Sequence, residues 1–457
     1  MSPLTSAVAE VAKVFAGQLI EPGAPSYDDV RRLHNGAIDK RPALIARCLG
    51  TADISDAIKL ARAHGLEIAV RGGGHNVAGR ACVEGGVMID LSLMRQVSVD
   101  PARKIAWVGG GATWRDVNRE TQQFGLATTG GVVSSTGVAG LTLGGGFGWL
   151  MPRFGMALDN LRAVTLVLAD GSVRQASTTE HPDLFWAVRG GGGNFGIAAT
   201  LEFQLHDVGP MVTGGLVAHP AARAQEVLRF FREQTRTLPD EVFLAGALVT
   251  APDGSGTKLA AIAAQHSGSL AAGDTFTRPL KAFGPPVLDA MGPMPYVASN
   301  MMLDAGFPKG ARNYWKSHFL LELTDPAIDA LIHHFDQLPN PACQILIEHF
   351  HGAVTRVPVS DTAFAMRHSG YNILIAGQWQ DAADDQRCIG WVRATYAAIQ
   401  PFVSPRRYAN YIADDEMTEA ASLAAVYGPN VTRLRQIKKR YDPDNVFRLN
   451  LNIPPAD

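Results

Sequence analysis

The chain has 457 residues, and its charge and composition already exclude several classes of protein. Its 41 Lys and Arg residues nearly balance 43 Asp and Glu residues, so the net charge of −2 lacks the basic surplus of a nucleic-acid-binding protein. Hydrophobic residues make up 46% of the chain and charged residues 18%, which excludes a disordered chain. We therefore expect a folded protein of two or three domains with no nucleic-acid partner.

The cysteines and the N-terminus predict a soluble cytoplasmic protein. Cys48, Cys82, Cys343 and Cys388 lie far apart without C-x-x-C spacing, as expected of reduced cysteines. The first residues lack the basic start and the long apolar core of a signal peptide. No run approaches the roughly 18 apolar residues that a membrane span requires, so no membrane partner is expected.

Strands and helices alternate through the first 205 residues, which predicts a mixed α+β domain. A strand and a helix are expected within 43–64, and a glycine-dense loop over 130–148. The further predicted strands are at 66–70, 87–91, 105–108, 161–169, 172–176 and 197–205, and the further helices at 113–124 and 183–188.

From residue 206 glycine becomes rarer, and helices alternate with strands that change between polar and apolar residues. Such strands are typical of an antiparallel sheet with one side facing solvent or a ligand. The predicted helices are at 222–233 and 326–337, and the predicted strands at 242–249, 258–264, 315–323, 344–350 and 371–379. The last 50 or so residues return to loops, with one helix at 431–440.

Glycine is concentrated where a backbone would approach a ligand closely. Residues 71–196 hold 25 of the 47 glycines. Their loops fit neither a dinucleotide fingerprint that opens a long helix nor a Walker A motif. A nest of backbone N–H groups around a pyrophosphate fits better, with 71–76 as the first candidate and a plain tight turn as the alternative.

Several motifs in fixed order resemble those of one protein family. They are RGGGH at 71–75, GVAG at 137–140, GGGFG at 144–148, GMALDN at 155–160, DLFWAVRGGGGNFG at 183–196, YANY at 408–411, and YDP at 441–443 with Asn445 and Phe447. Together they span nearly the whole chain. The sequence resembles the FAD-linked oxidases of the vanillyl-alcohol-oxidase fold, in the berberine-bridge-enzyme branch, and above all its bacterial members of this length that act on secondary metabolites.

The resemblance implies an α+β fold with a PCMH-type FAD-binding domain in two parts, 1–205 and 405–457. Between them, 206–404 would form a substrate domain with a large antiparallel sheet flanked by helices. FAD would lie between the N-terminal and C-terminal parts and be bound covalently to His75 through its 8α-methyl group. An imidazole nitrogen is a suitable nucleophile for that carbon; the alternative is an ordinary loop histidine.

Two further positions bear on the flavin. Some family members carry a second covalent link through a cysteine, but here Val133 stands at that position. The resemblance therefore implies attachment through His75 only. Thr136 precedes Gly137 and borders the flavin face that meets oxygen in this family; its small side chain favours an oxidase over a dehydrogenase.

The same motifs assign further residues to FAD binding. Asp159 would support the flavin-binding loops, with a helix-capping role as the alternative. The complete predicted set is Arg71, Gly72, Gly73, Gly74, His75, Asn76, Gly79, Gly131, Val133, Ser134, Thr136, Gly137, Gly140, Leu141, Gly144, Gly145, Gly146, Gly148, Asp159, Asn160, Gly193, Asn194, Gly196, Ile197, Tyr411, Asn450 and Asn452.

Tyr411 and Glu348 are the candidates for catalysis, together with Thr136 at the oxygen face. In related enzymes the last tyrosine of the YANY motif lies over the flavin, so Tyr411 would act as a base or position the substrate. A base role requires a lowered pKa or proton loss concerted with hydride transfer. Glu348 lies among apolar neighbours on a strand and would bind a cation, act as a base, or form a salt bridge. His349 and His351 lack a third ligand at suitable spacing, so no metal is expected.

These features predict an FAD-dependent oxidase that takes hydride from a C–OH or C–N carbon of a small or medium cyclic metabolite and passes the electrons to O2, giving H2O2. The alternatives are a dehydrogenase with another acceptor, an oxidative cyclase of a biosynthetic pathway, and a catalytically silent flavin-binding protein. Long sugar oligomers are disfavoured because the second domain is not rich in aromatic residues. A homodimer is the expectation taken from the family.

Overall fold

The computed structural model describes residues 3–412 and 419–457 and has an α+β fold, as predicted. The helices are α1 Pro3–Val11, α2 Tyr27–Arg31, α3 Thr51–Ala63, α4 Trp114–Thr121, α5 Val138–Leu143, α6 Met151–Phe154, α7 Pro182–Val188, α8 Ala224–Gln234, α9 Leu270–Ala282, α10 Tyr296–Met301, α11 Asp325–Asp336, α12 Ala353–Arg356, α13 Asp385–Ala398, α14 Glu419–Tyr427 and α15 Val431–Tyr441. None of these described helices is long and apolar enough to cross a membrane.

The described strands form two sheets in the N-terminal part, one large sheet in the middle of the chain, and a short two-stranded sheet of Leu126–Ala127 and His206–Asp207. They are β1 Gln18–Ile20, β2 Leu44–Arg47, β3 Ile68–Arg71, β4 Val87–Asp90, β5 Val97–Asp100, β6 Ile105–Gly109, β7 Leu126–Ala127, β8 Leu161–Val167, β9 Val173–Ser177, β10 Ile197–Gln204, β11 His206–Asp207, β12 Met211–Pro220, β13 Val242–Thr250, β14 Lys258–His266, β15 Leu288–Asp289, β16 Gly292–Pro295, β17 Arg312–Leu320, β18 Gln344–Phe350 and β19 Gly370–Trp379.

The first sheet has the order β1-β2-β4-β3, with β2, β4 and β3 parallel. Every residue of β4 is buried, as expected for a parallel strand covered on both faces. Helix α3 covers one face because Ile54, Ala57, Ile58 and Ala61 recur at helical spacing and are fully buried. This packing places the RGGGH motif directly after β3, at the edge of the sheet.

The second sheet is antiparallel, in the order β5-β6-β10-β8-β9. In β10, Leu201 and Phe203 point into the core and alternate with the partly exposed Thr200, Glu202 and Gln204, which is the period-two pattern of a sheet with one buried face. Strand β10 then leads from the second glycine loop, 190–196, back through the domain core.

The large sheet has the order β15-β12-β14-β13-β18-β19-β17, with β16 paired to β12, and all of its pairs are antiparallel. Helices α8, α11 and α13 pack on one face around Phe231, Leu331 and Trp391. The other face contacts the N-terminal part through Phe243, Phe319 and Phe350.

Three local expectations need correction. The strands of the large sheet alternate less than expected: β13 and the start of β18 alternate, but β19 is buried throughout because both faces of the sheet are covered there. The loop expected at 130–148 contains α5, whose buried Val138, Thr142 and Leu143 have helical spacing that the neighbouring glycines concealed. The strand expected at 315–323 is β17 and lies three residues earlier, since Leu321 is exposed.

The end of the chain packs into the N-terminal part. Leu434 and Ile437 of α15 and Ile453 after it belong to the core of the second sheet. The side chains of Lys438 and Asp442 are fully buried and paired, with Nζ 2.6 Å from Oδ2. Lys438 also donates to the carbonyl oxygens of Asn194 at 2.7 Å and Phe447 at 2.9 Å. The exact domain divisions at 205 and 404 stay a prediction.

The Lys438–Asp442 pair predicts a large loss of stability in Asp442→Asn. Burial already lowers the pKa of Lys438, and removing the partner charge leaves the ammonium group buried and unpaired. The backbone amides of Val446 and Phe447 also donate to Asp442 and would lose a charged acceptor. We expect the free energy of unfolding to fall by about 3–5 kcal/mol, measured by urea denaturation.

The matched control is Asp444→Asn, two residues further along. Asp444 is 64% exposed and pairs with Arg62 at the surface, so its loss should cost less than about 1 kcal/mol. Equal stabilities of the two variants would contradict a special role for the buried pair.

Candidate cofactor and active site

A deep cavity lies between the glycine-rich loops at 71–76, 130–148 and 190–196, the C-terminal segment, and the face of the large sheet that contacts the N-terminal part. Most of the residues predicted from the motifs line it. They are Gly72, Gly73, Gly74, His75, Asn76, Gly131, Val133, Thr136, Gly137, Gly140, Leu141, Gly144, Gly193, Asn194, Gly196, Ile197, Glu348, Tyr411 and Asn450. The fold therefore brings together side chains that are up to about 380 positions apart in the sequence. Their roles toward FAD stay predictions.

Nine of the residues predicted to bind FAD do not line the cavity: Arg71, Gly79, Ser134, Gly145, Gly146, Gly148, Asp159, Asn160 and Asn452. Several of them hold the loops in place. The guanidinium of Arg71 pairs with the buried Asp90. Asp159 accepts two hydrogen bonds from Arg367, at 2.7 and 2.8 Å. The sequence motif thus contains residues that support the cavity as well as residues that form it.

The loops are supported in the same way by Ser134, Asn160 and Gly148. The hydroxyl of Ser134 donates to Asp304 at 2.6 Å, which links the loop at 130–148 to the segment before β17. The side-chain amide of Asn160 donates to the carbonyl oxygens of Phe154 and Met156. A Cβ atom at Gly148 would lie 1.8 Å from the carbonyl oxygen of Gly130, so this glycine permits loop packing.

The motifs did not indicate the apolar part of the wall. Phe307, Trp315, Leu346 and Leu374 line the cavity from the large sheet and the segment before β17. Leu346 lies two residues before Glu348 and pairs with Leu374 across β18 and β19. Residues two apart on a strand share a face, so the position of Glu348 is the sequence signal that could have identified Leu346 as a lining residue. Other lining residues that were not in the predicted set are Val77, Arg80, Gly110, Val132, Phe147, Tyr408, Asn410 and Tyr427.

Two cavity loops approach each other at Gly73 and Gly137. A Cβ atom built on Gly73 would lie 2.4 Å from the Gly137 nitrogen, and one on Gly137 would lie 2.3 Å from the Gly73 nitrogen. Gly74, beside them, has a φ of +67°, which favours glycine. The result is a cradle of exposed backbone, which suits a large planar cofactor with a pyrophosphate.

His75 closes this cradle and fits the predicted attachment. Its Nε2 atom is buried and has no hydrogen-bond partner within the described part of the chain. Burial, and to a lesser degree the neighbouring His34, lowers the pKa of His75 to about 3. The ring is therefore neutral at neutral pH, and one of its two nitrogen atoms carries a free lone pair, as a nucleophile requires. The residues present fit FAD.

Glu348 and Tyr411 face each other on the substrate side. Burial raises the pKa of Glu348 to about 8, although the Asn372 side-chain amide donates to its Oε2 at 2.7 Å. The Tyr411 hydroxyl interacts with the same carboxyl, and burial and this carboxyl raise the pKa of Tyr411 well above its ordinary value. A free tyrosinate base is thus disfavoured, and of these two groups Glu348 is the one whose pKa lies nearer to neutral pH.

The ring of Tyr411 is held by aromatic edges. Its centroid lies 5.6 Å from that of Phe147, 6.1 Å from that of Trp315 and 5.2 Å from that of Tyr408. The angles between the ring planes are 86°, 85° and 86°. Such edge-to-face contacts fix a ring while leaving its hydroxyl free. The Tyr408 hydroxyl in turn accepts from the Gly146 amide at 3.0 Å.

The described residues contain no group of three or more His, Cys, Asp or Glu side chains that could hold a metal ion. His349 and His351 stack on each other with centroids 4.8 Å apart, and burial lowers the pKa of both. The four cysteines are free and buried.

Comparison with known proteins agrees with this geometry. One family model, described as an FAD binding domain, matches residues 42–177, and another, described as berberine and berberine like, matches residues 407–454. The chain is 30% identical to (R)-6-hydroxynicotine oxidase of Paenarthrobacter nicotinovorans over 454 residues, covering 96% of this chain and 97% of the relative. It is also 30% identical to an FAD-linked oxidoreductase of Dictyostelium discoideum over 457 residues, covering 99% and 97%.

Solved structures share the fold. The structure of 6-hydroxy-D-nicotine oxidase from Arthrobacter nicotinovorans is 30% identical, covers 97% of this chain and 98% of its own, and superposes with a TM-score of 0.87. The BBE-like 1 protein of Physcomitrella patens superposes with a TM-score of 0.89 over the whole of both chains, at 23% identity.

The fold, the glycine cradle and these matches define the class of the protein: it is an enzyme, an FAD-linked oxidoreductase. More narrowly, the chain belongs to the berberine-bridge-enzyme-like family, whose FAD-binding part is of the PCMH type. Both the family and the fold predicted from the sequence motifs are confirmed.

The close approach of the two loops predicts that Gly137→Ala loses FAD. The new Cβ would collide with the backbone at Gly73, and the resulting overpacking should weaken the cradle by about 1–3 kcal/mol. We expect purified Gly137→Ala protein to have a markedly lower ratio of flavin to protein absorbance.

Gly390→Ala is the control, on the exposed side of α13 and away from the cavity wall. A Cβ there would meet no atom of another part of the described chain within 4 Å, so this variant should retain its flavin. Equal flavin contents in the two variants would mean that the approach at Gly137 is not needed for FAD binding.

Proposed function

We propose that the protein is an FAD-dependent oxidase that removes hydride from a carbon bearing oxygen or nitrogen in a small or medium cyclic metabolite. The observation that carries this proposal is the pairing of Glu348 with Tyr411 opposite the glycine cradle and His75. Bound FAD would accept the hydride at flavin N5 and pass two electrons to O2, giving H2O2. The chain's own residues would hold the cofactor, orient the substrate and accept or transfer one proton.

His75 would hold FAD through one covalent bond to the 8α-methyl group. Its neutral ring and its unpartnered Nε2 support this role. Val133 lines the cavity where some relatives have a cysteine, which supports attachment at His75 only. The glycine cradle would bind the remainder of the cofactor through backbone amides.

The pair of Tyr411 and Glu348 would handle the proton that an alcohol loses as hydride leaves. Because Tyr411 holds its proton tightly, its hydroxyl would position the substrate or pass a proton on to Glu348. With a cationic amine, Glu348 would ionise and hold the ammonium group, since an opposite charge favours the carboxylate. Both cases use the same two side chains in the same positions.

The wall around this pair favours a flat apolar substrate. Phe307, Trp315, Leu346 and Leu374 supply apolar surface, and Glu348 supplies a polar group that is neutral at neutral pH. This combination suits an aromatic or heterocyclic ring with one oxygen or nitrogen function, and it disfavours an anion. The relative named (R)-6-hydroxynicotine oxidase supports a heterocyclic amine among the first compounds to test.

The second candidate is a dehydrogenase or an oxidative cyclase, which would pass the electrons to another acceptor or use them to close a ring. Thr136 lines the cavity and is partly exposed, so its small side chain favours oxygen access and hence the oxidase. Release of H2O2 during turnover of alcohols, amines and phenols separates the two functions.

The role of Glu348 predicts a specific pH dependence. With a pKa of about 8, its carboxyl is neutral below that pH and a carboxylate above it. If it accepts the proton, flavin reduction by an alcohol should accelerate as the pH rises through about 8, and Glu348→Gln should lose this rise. Stopped-flow absorbance across pH measures it, with the exposed Glu322→Gln as control. A flat profile in the unmodified enzyme would contradict the role of Glu348.

Tyr411→Phe distinguishes the substrate classes because it keeps the ring contacts and removes the hydroxyl. For an alcohol or phenol we expect flavin reduction to slow by about 10²–10⁴-fold, since proton transfer loses its positioned partner. A loss below about tenfold, together with a larger loss in Glu348→Gln, indicates an amine held by the carboxylate. Parental rates in both variants would place the active site elsewhere.

Attachment at His75 predicts that denatured protein keeps its yellow colour and carries the added mass of one FAD. His75→Ala should release all of its flavin on denaturation, because Val133 provides no second nucleophile. Mass spectrometry of the acid-precipitated protein measures both. Flavin that washes out of the unmodified protein in acid would disprove the attachment.

Oxygen access at Thr136 predicts that Thr136→Leu slows reoxidation by air more than it slows reduction by substrate. Stopped-flow on the two half-reactions separates these effects. Equal slowing of both half-reactions would mean that Thr136 is a packing residue, and Thr136→Ser should leave both rates close to those of the unmodified enzyme.

A further inference from the structure

A second histidine lies directly behind His75. The rings of His34 and His75 stack with centroids 3.8 Å apart and an angle of 22° between their planes. His34 is only 5% exposed and is not part of the cavity wall. Its Nε2, like that of His75, is buried without a hydrogen-bond partner among the residues that the structure describes.

The backbone around His34 is fixed on both sides. Its amide donates to the Gly74 carbonyl at 3.0 Å, and its own carbonyl accepts from the Gly310 amide at 2.9 Å. The Asn35 side-chain amide donates to the carbonyl oxygens of Val77 at 2.8 Å and Asn313 at 2.9 Å. The His34 ring is therefore held against the RGGGH loop by contacts that do not depend on the stacking itself.

The geometry determines what His34 contributes. Because the two rings lie nearly face to face, neither N–H can point at the other ring's nitrogen, so the pair is joined by stacking. Stacking fixes the plane of the His75 ring and covers one side of it against water. Two stacked imidazolium ions would also repel each other, so His34 opposes protonation of His75. Burial and the nearby Lys309 lower the pKa of His34 itself to about 4.

We propose that His34 is a positioning residue for covalent attachment of the flavin, in that its ring holds His75 in one plane with its reactive lone pair free. This inference rests on the proposed attachment at His75. In the overall step, one C–H bond of the flavin 8-methyl group and one N–H bond of His75 are replaced by one C–N bond. The two electrons and two protons that are released pass, through the flavin, to O2 and form H2O2.

The test follows covalent attachment itself and not turnover. Full-length protein from riboflavin-limited cells is mixed with FAD, samples are precipitated with acid at intervals, and the flavin retained by the protein is measured by fluorescence and intact mass. His34→Ala removes the stacked ring, whereas His34→Phe keeps an aromatic face without nitrogen atoms. The exposed His368→Ala is the control.

We expect His34→Ala to form the covalent bond about tenfold or more slowly than the unmodified protein, and His34→Phe to remain within about threefold of it. His34→Leu is the third variant, because leucine fills the space without offering a planar face. Rescue by phenylalanine but not by leucine is the readout that a loss of packing alone would not give, and His34→Leu also serves if His34→Ala does not fold.

Two results overturn the inference while leaving the proposed function intact. One is attachment at the parental rate in His34→Ala, and the other is attachment in His34→Phe that is as slow as in His34→Ala. If the unmodified protein acquires no covalent flavin, then the attachment at His75 and the role of His34 are both wrong. The unmodified protein thus tests the proposed function, and the variants test the role of His34.

Discussion

A buried ion pair close to the end of the chain holds the cofactor side of this enzyme together. Lys438 and Asp442 are both removed from water, and such a pair is stable only when its remaining donors and acceptors are satisfied. Here the lysine reaches the carbonyl oxygens of Asn194 and Phe447, and the aspartate receives two backbone amides. The second glycine loop and the last residues of the chain are thereby joined at one point.

The two sides of the cavity are built on different physical principles. The cofactor side consists mainly of backbone, because glycines allow loops such as those at Gly73 and Gly137 to touch. The substrate side consists of side chains on a rigid sheet, where burial among apolar neighbours raises the pKa of Glu348. Backbone recognition suits a cofactor that never changes, and side-chain recognition suits a substrate that differs between relatives.

The sequence predicted the cofactor side well and the substrate side poorly. His75, Gly137, Gly193 and Asn450 occur in compact motifs, so local reading placed them at the cavity. Trp315 reaches it only through strand order and register in a sheet whose neighbours are not adjacent in the chain, and Phe307 through the segment that leads into the same strand. Glu348 was found because a carboxylate is unexpected on an apolar strand.

Several residues of the cofactor motifs support the loops and do not line the cavity. Arg71 and Asp159 stand inside cofactor motifs, yet the structure uses them in ion pairs with Asp90 and with Arg367, which is 208 residues away from Asp159. A motif shows that a position requires one residue type. It does not show whether that residue contacts the cofactor or holds the surrounding loops in place. The stacking of His34 on His75 was equally invisible, since no pattern links positions 34 and 75.

The large sheet has a consequence for how this family diversifies. All of its strands in the described chain come from the uninterrupted stretch Met211–Trp379, while His75, Tyr411 and the glycine loops lie outside it. The sheet side of the cavity wall is thus inherited as one block, joined to the glycine loops and Tyr411 at just two crossings of the chain. Recombination or drift within that block can redirect the enzyme to a new metabolite while the machinery that captures the flavin is passed on unchanged.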